Sequence, residues 1–218
     1  MKRITLFFIA SLLTLNNTHP YKIYIEHLYG GKSGFVIPKE EEEFIKNTGN
    51  DSTYGEITYE GVEKLIKKFN LKKEDCFYDL GCGIGKMVIQ IYLTTPAKKS
   101  CGIELSSSRT NKAKQIKRHL KQESKIDQER QLKFIEGDIL NASLEDASAI
   151  FISSLCFSDD LMEKITNKLS RLKNGLKIAT SQKLPNKETF KLIETINIPM
   201  TWSPSSPIYL YELTNPHT

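Results

Sequence analysis

Tyr78 to Lys86 reads YDLGCGIGK. An acidic residue closes an apolar run, and Gly81, Gly83 and Gly85 follow at every second position. Glycines at this density let the chain turn tightly and let a ligand approach the backbone. In dinucleotide enzymes the loop is spaced G-x-G-x-x-G and meets a pyrophosphate at a helix N-terminus. Here it is G-x-G-x-G, with Asp79 two residues before the first glycine. A carboxylate at that point repels pyrophosphate and accepts hydrogen bonds from an ammonium group.

Working outward, strands and helices alternate. Upstream, TYEGVEKLIKKF places Val62, Leu65, Ile66 and Phe69 on one helical face. Asp75 to Asp79 reads as a strand, and the run from Lys86 as a helix because it follows the glycine turn. Ser100–Glu104 is a second strand, Ser106 to about Gln122 a helix, Lys133–Asp138 a third strand and Ala149–Ser153 a fourth. DLMEKITNKLSRL is a helix stopped by Asn174-Gly175, and Leu176–Thr180 a fifth strand. FKLIETINI and IYLYEL read as two more strands, with PMTWSPSSP as the loop between them. The fold class is therefore α/β: five parallel strands covered by helices, then a C-terminal antiparallel hairpin at the sheet edge. It looks like the Rossmann-like sheet of class I methyltransferases.

Three carboxylates stand at successive strand ends. Asp79 suits the amino group of S-adenosylmethionine. Glu104 can take both hydroxyls of a ribose, and Asp138 can accept from an adenine amino group. Strand ends of an open α/β sheet converge on one crevice, so the three predict an S-adenosylmethionine site. A dinucleotide-binding or empty Rossmann-like module is the competing reading.

Composition limits the classes open to the chain. At 218 residues, 39% hydrophobic and 26% charged, it is one ordinary globular domain of net charge +5. Neither the four cysteines nor the four histidines have metal-ligand spacing, so no metal is expected. Lys2 and Arg3 precede the uncharged run Ile4–Leu15, which is short for a bilayer span and has the layout of a secretory signal. An N-terminal helix packed on the domain is the plainer reading. Residues 1–20 are thus set apart as signal or helix, 21–57 as an N-terminal segment and 58–218 as the methyltransferase domain. An export signal would place the mature protein outside the producing cell; otherwise it is cytoplasmic or nuclear.

The stretch STYGEITYEGVEKLI, followed by DCFYDLGCGIGKMVIQI, resembles the non-SET histone lysine methyltransferases of the disruptor-of-telomeric-silencing family. The likeness continues through CGIE, FIEGDI, AIFISSLCF and LKNGLKIATSQ, to Trp202 and IYLYEL. It implies S-adenosylmethionine-dependent methyl transfer to a protein lysine, with a histone or nucleosome as partner. It implies that Tyr54, Gly55 and Glu56 fold over the cofactor, and that Asp79, Gly81, Gly83, Glu104 and Asp138 bind it. Phe157 and Tyr209 would line a narrow aromatic channel for the substrate lysine, with Ser154 at its inner end. The chain departs from the family at Ser153 and Ser154, where the family has two asparagines, and at Lys86, where it has glutamine. It also lacks the N-P-P-Y type motif of enzymes that methylate base amino groups.

Lys112, Lys114, Lys117, Arg118, Lys121 and Lys125 crowd one helix against the single acid Glu123. Contact with nucleic acid is one reading and a solvated helix face the other. A methyltransferase for a non-histone protein lysine or a small amine, and a non-catalytic cofactor-binding module, complete the alternatives.

Overall fold

The computed structural model describes residues 20–48, 51–185 and 188–214. The signal-like run Ile4–Leu15 lies outside them. The elements in chain order are α1 (Pro20–Leu28), α2 (Lys39–Asn47), α3 (Tyr59–Phe69), β1 (Cys76–Leu80), α4 (Lys86–Thr94), β2 (Lys99–Glu104) and α5 (Ser107–Gln122). They continue as β3 (Gln131–Glu136), β4 (Ala149–Ile152), α6 (Asp159–Leu169), β5 (Lys177–Thr180), β6 (Phe190–Met200) and β7 (Ser203–Leu213).

One sheet of seven strands runs in the order β3-β2-β1-β4-β5-β7-β6. The first five are parallel, and β7 is antiparallel to both neighbours. The chain leaves β1 toward β2 and β3, then returns to β4 on the other side of β1. This reversal opens a crevice at the carboxyl ends of β1 and β4, where such sheets bind ligands.

Strand parity builds the two layers. Tyr78, Leu80, Ile150, Ile152 and Ile178 face α6, which buries Leu161, Met162, Ile165 and Leu169 against them. Phe77, Phe151 and Ala179 face the other way, onto Val62, Leu65 and Phe69 of α3 and Met87 and Ile91 of α4. A third cluster joins Ile25, Leu28 and Tyr29 to Val88, Ile89 and Tyr92 of α4, and to Ala113, Ile116 and Leu120 of α5. Every residue of α4 from Met87 to Tyr92 is buried. Its β-branched residues are therefore tolerated because it is packed all round, with α1 on its outer side.

Three sequence expectations need correction. The N-terminal approach holds two helices that were not anticipated. For α2 the signal was present: Pro38 precedes it, Glu40–Glu42 fill its first turn and Lys46 its last, matching the helix dipole. The loop expected over PMTWSPSSP is only a turn at Thr201–Trp202, because β6 and β7 run through the prolines. β5 pairs only with Tyr209–Glu212 of β7, so Pro204 and Pro207 lie beyond its reach, where one strand side has no ladder to feed. Pro199 sits on the edge strand β6 at a register irregularity. Lastly, β3 ends at Glu136, which leaves Asp138 in the following turn rather than in the strand.

No helix among the described residues is long and apolar enough to cross a membrane. Cys76, Cys82 and Cys101 are free and buried; Cys156 is free and exposed.

Candidate active site

The glycine loop connects β1 to α4. Gly81, Gly83 and Gly85 have φ of 84°, 55° and 83°, a region that side chains with a Cβ rarely adopt. At Gly83 a Cβ would lie 2.4 Å from the Tyr54 ring, and at Gly85 2.4 Å from that of Phe134. Gly83 thus lets Tyr54 close down on the loop, and Gly85 lets α4 begin against β3.

A cavity of about 290 Å³ opens over this loop at the carboxyl ends of the strands. Gly81, Glu104, Arg109 and Asp138 line its polar side; Ile139, Leu155, Phe157, Leu161 and Trp202 line its apolar side. A smaller recess adjoins it, sharing Tyr54, Gly55, Gly81 and Ser153, and is lined further by Glu56, Asp79, Gly83 and Lys86. The expected cofactor-binding set is therefore divided between two adjoining hollows: Tyr54 and Gly81 line both, Glu104 and Asp138 the cavity, and Glu56, Asp79 and Gly83 the recess.

Their environments differ. Asp79 is 4% exposed, and burial, with the nearby Glu104 carboxylate, pushes its pKa up to about 8. Glu104 is also buried. Its Oε2 accepts from Gly83 N at 2.8 Å and its Oε1 from Ser106 N at 2.9 Å. Burial raises its pKa, against the pull of those two N–H groups and Arg109. Asp138 is half-buried, and its Oδ1 accepts from Leu140 N at 2.8 Å, which fixes its turn.

The N-terminal segment forms the roof. Tyr54 donates its hydroxyl to Glu56 Oε1 at 2.7 Å, and Glu56 Oε2 pairs with Lys86 Nζ at 2.6 Å. Burial and the Glu56 carboxylate raise the Tyr54 pKa well above its ordinary value, so it stays a neutral donor. Residues 55–58 run along the end of β6, through Glu56 N to Thr201 Oγ1 at 3.0 Å and Thr201 N to Glu56 O at 2.8 Å. The close approach of Gly55 to the Trp202 ring depends on the absence of a Cβ, which would stand 2.3 Å from that ring.

The expected channel residues are only partly brought together. Phe157 lines the cavity beside Gly81. Gln182 holds the loop that carries it, donating Nε2 to Ser154 O at 2.6 Å and to Phe157 O at 3.2 Å. Ser154 points elsewhere: its side chain is fully buried, 2.9 Å from Thr180 Oγ1, and accepts from Gln182 N at 3.0 Å. Its neighbour Ser153 lines the cavity instead. Tyr209 pairs with Thr180 across β5 and β7, packs against the same apolar cluster as Phe157, and carries Lys183 Nζ 5.6 Å from its ring centroid. It is not among the described residues that line the cavity; Trp202, 44% exposed, is the aromatic that β6 and β7 bring there. Arg109 and Gln182 were not singled out from the sequence, and Ser153 was noted there only as a departure from the family.

The basic cluster falls on α5 except for Lys125, which lies beyond its end, and several of its cations have intramolecular partners. Lys112 Nζ donates to Ser33 O at 2.6 Å, Lys114 Nζ lies 3.8 Å from Glu136, and Lys125 Nζ stands 5.9 Å from the centroid of the Tyr24 ring. Lys117 is half-buried, and that burial lowers its pKa. Arg118 and Lys121 are exposed.

Known proteins are similar to this chain. A histone-lysine N-methyltransferase, H3 lysine-79 specific, of Caenorhabditis elegans is 36% identical over 156 residues, which is 66% of this chain and 16% of that protein. Its namesake in Drosophila melanogaster is 27% identical over 135 residues, 59% of this chain and 7% of that protein. The chain thus spans a small part of the length of these relatives. Among solved structures, an RNA methyltransferase from Salinibacter ruber in complex with S-adenosyl-L-homocysteine superposes with a TM-score of 0.58 at 18% identity, covering 74% of this chain and 95% of that one. A geranyl diphosphate C-methyltransferase from Streptomyces coelicolor A3(2) gives 0.55 at 12% identity, covering 82% and 99%. At these identities the likeness is one of fold, that of the class I methyltransferases. Residues 35–202 match the family model of the histone methylation protein DOT1, and the chain belongs to that family.

Proposed function

We propose that this chain is an S-adenosylmethionine-dependent protein lysine N-methyltransferase acting on a histone. The observation that carries the reading is that Glu104 and Asp138 line the cavity over the glycine loop and Asp79 lines the recess adjoining it, in a chain of this family. The residues fit the cofactor. Asp79 is a buried carboxylate facing a recess, with no hydrogen bond to its side chain from another described residue, which suits an ammonium. Glu104 is fixed for a ribose, and Asp138 stands beside the apolar Ile139 for an adenine.

Bound S-adenosylmethionine supplies a methyl group on a sulfonium. The chain aligns the lysine amine with it, and positioning of this kind contributes most of the acceleration in a displacement. Phe157 and Trp202 wall the approach, with Tyr209 in the layer behind. Aromatic faces attract the incoming ammonium, and burial then lowers its pKa from about 10.4 so that it sheds its proton. No histidine lines the cavity among the described residues, and this route needs none. The names of the relatives favour a histone lysine, hence nuclear work, as substrate and place. Any contact with nucleosomal DNA would rest on Arg118 and Lys121 rather than on Lys112 and Lys114. The substrate half of the reading is tested by mass spectrometry of nucleosomes incubated with enzyme and cofactor, which should find methyl groups on histone lysine.

The cofactor half has a pH signature. The folded pKa of Asp79, about 8, is raised above its ordinary 3.8. Between those values the folded chain holds a proton that the unfolded chain has released, so this group lowers stability as pH rises through that window. An ammonium partner needs the ionised form. Affinity for S-adenosylhomocysteine should therefore rise roughly eightfold between pH 6.5 and 7.5, with proton release. Calorimetry in buffers of different ionisation enthalpy reads both quantities. Asp79→Asn should bind weakly and without this slope; a flat wild-type profile would remove Asp79 from the amine.

A further inference from the structure

Arg109 stands in the first turn of α5, where a cation opposes the helix dipole. It is nevertheless 5% exposed. The N-terminal segment holds it there. Its Nε donates to Gly34 O at 2.9 Å and its Nη2 to Ser52 O at 2.7 Å. Its guanidinium carbon lies 4.5 Å from the centroid of the Tyr54 ring, and its Nη1 is 3.9 Å from Glu104 Oε1. One side chain thus touches the chain on both sides of α2, the tyrosine that closes on Gly83, and the carboxylate at the end of β2. The anion that the N-terminus of α5 lacks in its own first turn comes from the same segment. Glu41 of α2 accepts from Ser108 N at 3.2 Å, from Ser108 Oγ at 3.1 Å and from Ser106 Oγ.

We propose that Arg109 is a positioning residue that ties closure of α2 and its flanks, Gly34 before it and Ser52 and Tyr54 after it, to occupancy of the cofactor site at Glu104. The inference rests on the assignment of Glu104 to the cofactor. A guanidinium is a planar fork that can serve two carbonyls while stacking on a ring; an ammonium cannot. With the segment open, Arg109 loses both carbonyls and the tyrosine face, and its charge is left against the buried Glu104. With the segment closed, a ligand held by Glu104 lies beneath a roof fastened to the same carboxylate. Release then requires those contacts to break, so dissociation is slow.

The test pairs two measurements on the full chain. Displacement kinetics give the dissociation rate of S-adenosylhomocysteine. Limited trypsin digestion reports opening of the segment through cleavage after Lys32, Lys39 and Lys46. In the wild type, S-adenosylhomocysteine should slow that cleavage. In Arg109→Gln, dissociation should be about tenfold faster and the ligand should no longer protect the segment. Arg109→Lys keeps the charge beside Glu104 but not the fork, and should behave like Arg109→Gln; it carries the test alone if the glutamine variant does not fold. Wild-type dissociation and protection in either variant overturn the proposal. Glu104→Ala separates the two layers of the argument. If it leaves affinity unchanged, the cofactor assignment fails. If it weakens affinity while both Arg109 variants release ligand at the wild-type rate, only the coupling fails.

Discussion

Glu104→Ala is expected to weaken S-adenosylhomocysteine binding by about 1.5–3 kcal/mol, roughly ten- to 150-fold. The effect has two sources. The carboxylate would accept from the ligand's ribose hydroxyls, and charged hydrogen bonds are the stronger kind. It also holds Gly83 N and Ser106 N, so truncation leaves two buried N–H groups without their acceptor and Arg109 without its nearby counter-charge. Glu104→Gln keeps a side-chain oxygen for one of those N–H groups and should lose less. Calorimetry on both variants, with the fold checked by circular dichroism, reads the difference. Unchanged affinity in a folded Glu104→Ala would take the ribose role away from this residue.

Phe157→Ala and Trp202→Ala should lower turnover while leaving cofactor affinity within about twofold. The two rings stand on opposite chain segments, one after β4 and one at the turn between β6 and β7, and both line the cavity. Without either ring, water reaches the amine and its pKa stays near that of a free lysine. Misplacement of a nucleophile by about 1 Å can cost on the order of a hundredfold, and a loss between about tenfold and a hundredfold is expected, equal to roughly 1.4–2.7 kcal/mol of barrier. Tyr209→Ala should fall short of both, since that ring lies outside the cavity lining. Steady-state kinetics with a saturating methyl donor decide this. Full turnover in Phe157→Ala and Trp202→Ala would leave a small-molecule amine or another protein group as the better substrate.

The carboxylate side of the cavity was legible because it depends on strand ends. A strand's end can be found within a residue or two, and its acidic residue then reaches the crevice whatever the detail; Asp138 does so even from the turn beyond β3. The aromatic side depends on which way single side chains point beyond a strand's end, and there the sequence is silent. Ser153 and Ser154 are adjacent, yet one lines the cavity and the other is buried on Thr180. Trp202 and Tyr209 sit on the same hairpin, but the turn, not the ladder, faces the cavity. The hairpin's true length was hidden by prolines, which argue against strand unless one side is known to be unpaired. Arg109 left a trace, a cation where the helix dipole disfavours one, and only the segment folded over it gives the reason.

The central claim is lysine methylation from S-adenosylmethionine. Its most direct test is transfer of a labelled methyl group, offered at one time to nucleosomes, free histones, unrelated basic proteins and small amines. Label in histone, recovered as methyllysine after hydrolysis and reduced in Phe157→Ala, is the predicted result. Label confined to small amines, or no transfer from protein that binds the cofactor, would contradict it.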